Sequence, residues 1–352
     1  MSLADGMAAL NLEMPDRVPR TEYSIETNYE LLSAVTGIEV KVGDDFEKIN
    51  KALFDFKKIW NYDFIWNITF GGEIFGDKKT KMGHASYSSQ GADYDNQTSE
   101  FYDDPEETLK FDPWELYGNP DESALLKRFN EHYHNAVNTF PDAVNMPGMY
   151  VTCMSGLIDI FGWDMLLCTA GTDPNGFSEL TNRYCAWIQH YFNALAQCDS
   201  PIVMVHDDIV WTSGAFIHPD WYRKYLFPNY KKMFAPLIEA KKKIVFTSDG
   251  TYDEFIDDIA QTGINAFVLE PTTNMQYIAD KYGKTHAFIG NADTRILLMG
   301  TKEDIEAEVK RCMDIGKKYP GFFMAVGNHI PANTPIENAI FYNEMYEKYS
   351  KR

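Results

Sequence analysis

Five short apolar segments in the C-terminal half of the sequence each run directly into polar residues that could do acid–base or metal chemistry. Carboxylates, imidazoles and amides are concentrated there, and these groups transfer protons, ligate metal ions and orient substrates. The polar stretches are His206-Asp207-Asp208, Thr247-Ser248-Asp249-Gly250, Glu270-Pro271, Gly290-Asn291-Ala292-Asp293 and Gly327-Asn328-His329. If the five segments share one edge of a sheet, these side chains converge on one site.

Specific roles follow from the residue types. Asp207, Asp249, Glu270 and His329 are predicted to be catalytic, as acids or metal ligands. The residues predicted to bind substrate are His206, Asp208, Trp211, Asn291, Asp293 and Asn328. A metal ion is an open alternative, since zinc accepts N and O ligands, here from His206, Asp249, Glu270 and His329. Each residue also has a structural alternative, because Asp and Asn commonly cap turns and helices.

The elements that position these residues read as parallel strands. Apolar runs at residues 202–205, 243–246, 266–269, 286–289 and 322–326 alternate with helix-period segments, a pattern typical of strands linked by crossover helices. Weaker strands are predicted at 18–22, 64–66 and 150–153. Eight strands close a (β/α)₈ TIM barrel, whose chemistry lies at the C-terminal ends of its strands. The predicted fold is therefore α/β, a single TIM barrel over residues 1–352 with an N-terminal extension.

Two helices and one insertion complete this interpretation. A helix over 251–261 is predicted to stop before Gly263, which suits a left-handed cap. A second, over 301–318, has Thr301 as its N-cap and a buried stripe that includes Val309 and Cys312. Residues 91–118 interrupt the alternation of predicted strands and helices. Between positions 93 and 115 they contain nine acidic residues and one lysine. This stretch is predicted to be a lid over the barrel mouth or a solvated surface loop.

Composition excludes several classes of function. The 352 residues carry 32 Lys and Arg against 52 Asp and Glu, a net charge of −20, which argues against partners such as nucleic acid or an anionic membrane. No GxGxxG, GxxxxGK[ST] or GxSxG motif is present, so neither a nucleotide cofactor nor a hydrolase triad is indicated. The five cysteines are scattered, no signal peptide or membrane span is recognised, and a cytoplasmic location is expected.

The polar segments resemble the uroporphyrinogen decarboxylase superfamily, which also contains cobalamin- and coenzyme M-dependent methyltransferases. Similar stretches include Met14-Pro15-Asp16-Arg17-Val18-Pro19, His206-Asp207-Asp208, Ser248-Asp249-Gly250 and Gly290-Asn291-Ala292-Asp293, then Gly327-Asn328-His329-Ile330-Pro331 with Thr334-Pro335 and Glu337-Asn338. The resemblance is specific over about residues 201–346. It implies a single TIM barrel whose mouth binds a small molecule or cofactor.

Arginine content separates the two activities of this superfamily. Uroporphyrinogen carries eight carboxylates, which call for several Arg partners. Decarboxylases of the superfamily carry an Arg-Gln-Ala-Gly-Arg type segment, whereas residues 21–26 here contain no Arg and the whole chain has eight. A methyltransferase that moves a methyl group from a small O-methyl or N-methyl donor to a corrinoid protein is therefore the leading hypothesis. A decarboxylase acting on a tetrapyrrole or smaller acid, and a non-catalytic small-molecule or corrinoid-binding barrel, are the alternatives.

The resemblance also bears on cofactors and partners. Zinc-dependent members of the superfamily activate a thiol with a His-x-Cys pair and a later Cys, and Thr247, Asp249 and Asn328 occupy the matching positions here. Zinc is thus expected only from a different ligand set. The expected cofactor is a corrinoid on a partner protein, and a homodimer is left open. Aromatic residues in 60–66 and 211–221 are expected to be mostly core, with some walling an apolar methyl-donor pocket.

Overall fold

The chain folds around a parallel sheet covered by helices, which confirms the α/β class predicted from the sequence. The computed structural model describes residues 1–80, 86–88, 91–93 and 102–352. Its strands are β1 (Ser86–Ser88), β2 (Gly91–Asp93), β3 (Gly148–Met149), β4 (Ile202–His206), β5 (Val210–Trp211), β6 (Gly214–Ala215), β7 (Lys243–Thr247), β8 (Ala266–Val268), β9 (Ala287–Ile289) and β10 (Phe322–Phe323).

Six of these strands form the main sheet, in the order β10-β9-β8-β7-β4-β3, and every neighbouring pair is parallel. Antiparallel hairpins are formed by β1 with β2 and by β5 with β6. Five predicted strands are found at β4, β7, β8, β9 and β10. The strand predicted at 150–153 is wrong by two residues, because the pairing with β4 involves Gly148 and Met149 instead.

Isolated bridges extend both edges of the main sheet. Next to β10, Met324 N donates to Pro19 O at 2.8 Å. Next to β3, Phe64 bridges Val144 in parallel, and Asp63 N donates to the carbonyl of Arg20 at 2.9 Å. The first two predicted strands thus lie beside the sheet as bridged segments rather than regular strands, and closure into an eight-stranded barrel stays a prediction.

Helices precede and follow the strands along the whole chain. They are α1 (Leu3–Leu10), α2 (Tyr29–Thr36), α3 (Phe46–Ile59), α4 (Pro105–Thr108), α5 (Pro113–Tyr117), α6 (Glu122–Thr139), α7 (Met154–Phe161), α8 (Trp163–Thr172), α9 (Pro174–Gln197), α10 (Pro219–Trp221), α11 (Phe227–Glu239), α12 (Ile256–Ala260), α13 (Met275–Tyr282), α14 (Thr294–Met299), α15 (Lys302–Gly316) and α16 (Ile336–Tyr349). Short 3₁₀ turns span Gly72–Phe75 and Asp253–Phe255, and a π-helical turn spans Tyr222–Leu226.

The two helices predicted in detail form, with one difference. Thr301 caps α15 in a reciprocal capping box with Asp304, and Val309 and Cys312 are buried on its inner face, as expected. The helix predicted at 251–261 is shorter, since a 3₁₀ turn precedes α12. Gly263 beyond it has a φ of +98°, so the left-handed conformation predicted there is present.

Side chains of the strands alternate between two apolar clusters. The inner cluster contains Met204 of β4, Val245 of β7 and Val268 of β8. The outer cluster contains the intervening residues, such as Val205 and Phe246, packed against the helices. Strands buried on both faces explain why these segments read as continuous apolar runs. Each fully buried aliphatic or aromatic side chain contributes about 1.5–3 kcal/mol, which fixes the strands rigidly below their polar C-terminal ends.

The acidic stretch at 91–118 is described only in part. From residue 102 onward it forms α4 and α5, which pack against α8 and α9. Arg183 of α9 donates from Nη2 to Leu109 O at 2.6 Å and from Nε to Phe111 O at 3.0 Å. This part is therefore a helical segment docked on the helical layer, and the choice between lid and surface loop for the whole stretch stays a prediction. The lid alternative falls largely on residues 94–101, which lie outside the described residues.

Among the described residues, no helix combines the length and apolar character needed to cross a membrane.

Candidate active site

A cavity of about 240 Å³ lies at the C-terminal ends of β4, β7 and β8. Its polar lining includes five residues named in the sequence prediction: His206, Asp249, Glu270, Asn328 and His329. The carboxyl ends of parallel strands are where α/β proteins place their ligands. The structure therefore brings half of the ten predicted site residues together around one partly open cavity.

His206, the last residue of β4, is oriented by Tyr150. Its Nδ1 donates to Tyr150 O at 2.8 Å, and the two rings stack with centroids 3.8 Å apart. The other ring nitrogen, Nε2, lies 3.2 Å from Asp208 Oδ1. Burial lowers the pKa of His206, but the nearby carboxylates of Asp208 and Asp249 raise it more, to about 9. At neutral pH His206 is therefore an imidazolium that points its second N–H at carboxylates.

Asp249 stands two residues beyond β7 and faces the cavity. Its backbone N donates to Asp208 Oδ1 at 3.2 Å, which ties the two turns together. Gly250 follows with a φ of +83°, and a Cβ there would come within 2.7 Å of the Trp211 backbone. Only glycine fits both demands. Burial and repulsion from the Asp208 and Glu270 carboxylates raise the pKa of Asp249 to about 8.

Glu270 follows β8 and is held by two donors. Gly250 N donates to its Oε2 at 2.9 Å, and Asn328 Nδ2 donates to its Oε1 at 2.6 Å. The Asn328 oxygen in turn accepts from His329 N at 2.8 Å and from His329 Nδ1 at 2.9 Å. Burial lowers the pKa of His329 to about 4, so its imidazole is neutral at pH 7. The result is a chain of hydrogen bonds from His329 through Asn328 to the Glu270 carboxylate.

Asp207 does not face the cavity, which corrects its predicted catalytic role. Its carboxylate turns toward the helical layer, where Oδ1 accepts from Ser155 N at 2.6 Å and Oδ2 accepts from the hydroxyl of Tyr230. Burial raises its pKa to about 6, with those hydrogen bonds opposing the rise. Successive residues of a strand point to opposite faces, so Asp207 follows the outward Val205 while His206 follows the inward Met204. Its position is structural.

Asn291 and Asp293 are likewise outside the cavity lining, which corrects their predicted binding roles. Asn291 is buried, and its Nδ2 donates to the carbonyl oxygen of Glu270 at 3.1 Å while its Oδ1 accepts from Arg311 Nη2 at 3.0 Å. Asp293 is the N-cap of α14, where its side chain accepts from Arg295 N at 2.9 Å. Both residues hold the strand-to-helix connection, the structural alternative weighed from the sequence.

Asp208 and Trp211 border a second, more open cleft of about 490 Å³ beside the cavity. Asp249 and Glu270 line both spaces, so they form the wall between them. Trp211 is 42% exposed and packs against Trp163 with ring centroids 5.5 Å apart. The predicted site is thus divided into an inner cavity and an outer cleft.

Aromatic residues of the inner cavity come mainly from parts of the chain that sequence reasoning left vague. Tyr23, Trp66 and Tyr150 line it, and Tyr23 meets Trp66 edge to face at 5.2 Å. Trp66 lies in a range where aromatic wall residues were expected, whereas Trp60 from the same range is core. Tyr23 lies within residues 21–26, the stretch compared with the Arg-rich decarboxylase segment. This position in the sequence was the signal that could have marked Tyr23 as a site residue.

Three of the site's side chains could hold a divalent metal ion. They are His206, Asp208 and Asp249, and each offers one ligand atom within 4.8 Å of the other two. Imidazole and carboxylate groups are both common zinc ligands. Glu270 and His329 fall outside this group, so the geometry replaces two of the four predicted metal candidates with Asp208. The thiol-activating zinc set does not fit, since Thr and Asn supply neither imidazole nor thiolate and no cysteine lines the cavity.

All eight arginines lie within the described residues, and none lines the inner cavity. Each interacts with protein groups elsewhere. Arg20, for example, is fully buried with its Nη2 2.7 Å from Glu22 Oε1, and Arg311 donates to Glu308. The remaining contacts are Arg17 to Asp63, Arg128 to Glu73, Arg183 to Leu109, Arg223 to Asp258, Arg295 to Asp293 and Arg352 to Tyr319. No lysine in the part of the chain that the structure describes lines the cavity either.

Known proteins resemble this chain in sequence and in fold. A uroporphyrinogen decarboxylase of Geobacter sulfurreducens is 26% identical over 179 residues, 51% of each chain, and one of Coxiella burnetii is 28% identical over 50% of this chain and 48% of the relative. The match thus spans about half the length of these curated relatives. The solved structure of a methyltransferase from Methanosarcina mazei superposes over 99% of both chains with a TM-score of 0.67 and 17% identity, which shows a shared fold.

The family comparison covers the half of the chain that carries the site. The sequence model described as uroporphyrinogen decarboxylase (URO-D) matches residues 148–349, which is more than half of the chain. That span includes β3 to β10 and the polar residues at their C-terminal ends. The chain belongs to the uroporphyrinogen decarboxylase family.

Proposed function

We propose that this protein is a methyltransferase that takes a methyl group from a small O-methyl or N-methyl donor and passes it to the corrinoid of a partner protein. The observation that carries the proposal is the character of the inner cavity, which is small and lined by carboxyl and aromatic side chains, with no Arg and, among the described residues, no Lys in its lining. Family membership indicates an enzyme, and the full-length fold match to a methyltransferase supports this branch of the family.

Decarboxylation of uroporphyrinogen fits this cavity poorly. The inner cavity, at about 240 Å³, is below the ~300–1,000 Å³ of pockets that enclose drug-sized ligands, so a tetrapyrrole would have to extend into the outer cleft. Its eight carboxylates would meet Asp249 and Glu270 with no guanidinium to offset their desolvation. Like charges at close range raise the free energy of the complex, so the lining opposes this substrate.

Methyl transfer asks the protein to stabilise the group that loses the methyl. With an O-methyl donor, the C–O bond breaks, its electron pair stays on oxygen, and a proton must follow; Asp249, with a pKa of about 8, carries one at neutral pH. With a cationic N-methyl donor, the electron pair of the C–N bond leaves with nitrogen as a neutral amine, and no proton is needed. Glu270, which accepts from Asn328 Nδ2, shares the wall with Asp249 in either case.

The test is methyl transfer with purified components. The protein is mixed with a Co(I) corrinoid protein and a panel of methyl ethers and methylamines, and formation of methyl-cobalt is followed by absorbance. We expect transfer from at least one donor and its loss in Asp249→Ala. Absence of methyl-cobalt with every donor contradicts the proposal. Carbon dioxide release from uroporphyrinogen would establish the decarboxylase alternative, and ligand binding without turnover would establish the binding-protein alternative.

A further inference from the structure

We infer that His206, Asp208 and Asp249 form a binding site for one Zn²⁺ ion, placed where the inner cavity meets the outer cleft. Three protein ligands leave one position of a tetrahedral ion open, as in catalytic zinc sites. The metal site itself does not depend on the proposed function, whereas its role in methyl transfer rests on that function. Two features carry the inference, the spacing of the three ligand atoms and the orientation of the His206 ring.

The first feature is the spacing of the ligand atoms. His206 Nε2 lies 3.2 Å from Asp208 Oδ1, and a tetrahedral zinc ion with bonds of about 2.0–2.1 Å holds its nitrogen and oxygen ligands about 3.3 Å apart. Asp249 completes the group, since each of the three residues offers one ligand atom within 4.8 Å of the other two. Only small side-chain movements separate this arrangement from one that shares a single ion.

The second feature is the orientation of His206 by a residue outside the ligand group. Its Nδ1 donates to Tyr150 O at 2.8 Å, and its ring stacks on that of Tyr150 with centroids 3.8 Å apart. Metal-ligating histidines typically donate from one ring nitrogen to a carbonyl or carboxylate, which fixes the other nitrogen toward the ion. Nε2 of His206 is fixed in this way toward Asp208. A zinc ion takes the place of the Nε2 proton there, so the contact between the two side chains becomes two bonds to one ion.

The types of ligand select the ion. One imidazole and two carboxylates suit Zn²⁺, whereas Mg²⁺ prefers oxygen ligands and keeps several of its own waters. This set differs from the thiol-activating zinc set of the superfamily, which corresponds to Thr247, Asp249 and Asn328 here. Asp249 alone belongs to both sets, because the other two ligands come from the end of β4.

The position of the site suits methyl transfer. His206 lines the inner cavity, Asp208 lines the outer cleft and Asp249 lines both, so the site can be reached from either space. An ion there supplies Lewis acidity, since it can accept the oxygen of an O-methyl donor and offset the negative charge that remains on it. The C–O bond breaks with its electron pair on oxygen, cobalt(I) supplies the pair for the new Co–C bond, and the released oxygen takes its proton from water. Zinc and a proton compete for the Asp249 carboxylate, so the ion does in the zinc-loaded protein what that proton does in the metal-free protein.

Zinc binding is measured by calorimetry on the full chain, after treatment with a chelator and removal of the chelator. We expect one Zn²⁺ per chain and no saturable binding of Mg²⁺ at millimolar concentration. His206→Gln and Asp208→Asn should each weaken Zn²⁺ binding at least about tenfold, because each removes a ligand of the ion. His329→Gln, which replaces the other imidazole of the cavity, is the matched control and should leave the affinity unchanged.

X-ray absorption at the zinc edge tests the ligand set without any substitution, so it does not depend on how well the variants fold. We expect nitrogen and oxygen neighbours at about 2.0–2.2 Å and no sulfur at about 2.3 Å. A sulfur neighbour would assign the ion to a cysteine and overturn the inference.

The remaining outcomes separate the metal site from the proposed function. Failure to bind Zn²⁺, or equal affinity in His206→Gln and the parent, would overturn the site and leave the proposed function standing. Zinc binding with the expected neighbours but no methyl transfer from any donor would do the reverse. Transfer from an O-methyl donor should fall about tenfold or more when zinc is removed and return when one equivalent is added. Transfer unchanged by removal of zinc would overturn the role of the ion.

Discussion

Asp207 and Asp249 are carboxyl groups beyond the ends of two neighbouring strands, yet they serve opposite purposes. Asp207 turns outward into the helical layer, where the backbone N–H of Ser155 and the hydroxyl of Tyr230 occupy its oxygens. Asp249 turns inward to the cavity, beside the carboxylates of Asp208 and Glu270. The surroundings of Asp207 are closed to solvent and supply hydrogen-bond donors to its oxygens. The surroundings of Asp249 are open to the cavity and contain two other carboxyl groups.

The two pKa values show what this difference means. Burial raises both, to about 6 for Asp207 and to about 8 for Asp249. Hydrogen bonds to Asp207 limit the rise, whereas the neighbouring carboxylates add to it at Asp249. Burial of a carboxyl group is thus not by itself a sign of function. The indicative feature is the balance of neighbours: at Asp249 the burial and the two nearby carboxylates outweigh the opposing effects of His206 and of a hydrogen bond with Asn328, and carboxyl groups with such strongly raised pKa values are candidates for proton transfer.

Of the substitutions that test this comparison, the one at Asp249 should have the largest effect, and the effect should be on the rate of methyl transfer. Asp249→Asn removes the proton that an O-methyl donor needs at its leaving oxygen, so we expect kcat/KM for methyl transfer from such a donor to fall about 100-fold at neutral pH. Because the substitution also removes repulsion between carboxylates, the free energy of unfolding should stay the same or rise. Both quantities are measured on the same preparation, by methyl-cobalt formation and by urea unfolding. Turnover within twofold of the parent would remove Asp249 from the mechanism.

At Asp207 the expected effect is on stability. Asp207→Asn places an amide N–H₂ against either Ser155 N–H or the Tyr230 hydroxyl, so one buried donor loses its acceptor. A buried unsatisfied donor costs about 1–3 kcal/mol, and we expect a loss near the upper end because the site is closed to water. Urea unfolding measures the loss. Tyr230→Phe, which removes a donor instead of an acceptor, is the matched control and should cost less; equal stability of Asp207→Asn and the parent would contradict this account.

How much of this could be read from the sequence depends on the element. The strands from residue 202 onward were predictable because they are buried on both faces, and the polar residues after them were therefore placed at the correct edge. The alternation along β4 was also available. The period of two predicts only that His206 and Asp207 face opposite sides. Because both faces of β4 are buried and apolar, the side that faces inward became clear only from the structure, where Met204 is inward and Val205 outward.

Other features could not be read from the sequence. The two-residue alternation of β9 does not continue to Asn291. Gly290 adopts a φ of +129°, which changes the direction of the chain before Asn291. Tyr23 reaches the cavity through a segment that forms bridges rather than a regular strand, so no periodicity marks its direction. Asp208 joins His206 and Asp249 only because a hydrogen bond from Asp249 N draws two turns together. Such contacts depend on tertiary geometry that local patterns do not encode.

A smaller effect, on the pH dependence of the free energy of unfolding, also distinguishes Asp249 from Asp207. A carboxyl group with a raised folded-state pKa binds more protons in the folded than in the unfolded chain, so stability falls as pH rises between the two values. For Asp249 this window runs from its ordinary value of 3.8 to about 8. The stability of Asp249→Asn relative to the parent should therefore grow from pH 4 to 8, by at most about 1.4 kcal/mol per pH unit, and stay level above.

Unfolding of both proteins at intervals across this range supplies the measurement. His206 gives stability below its unfolded pKa that is lost as pH rises through about 9. Because Asp249 helps to raise the pKa of His206, this loss begins at lower pH in Asp249→Asn and opposes part of the expected difference. A difference between the two proteins that does not change with pH would mean that Asp249 is ionised throughout, and would remove the distinction from Asp207.

The smallest effect concerns Asp293, a carboxylate with a role like that of Asp207 but at the surface end of its own turn. It caps α14 and accepts from Arg295, and it lies outside the cavity lining. Loss of an N-cap typically costs about 1 kcal/mol, so Asp293→Ala should lower the free energy of unfolding by about that amount. Asp293→Asn, which preserves a capping oxygen, should lose less than half as much. Because Asp293 lies outside the cavity lining, methyl transfer should be unchanged in both variants. A fall in turnover with unchanged stability would contradict this expectation and support the substrate-binding role predicted for Asp293 from the sequence.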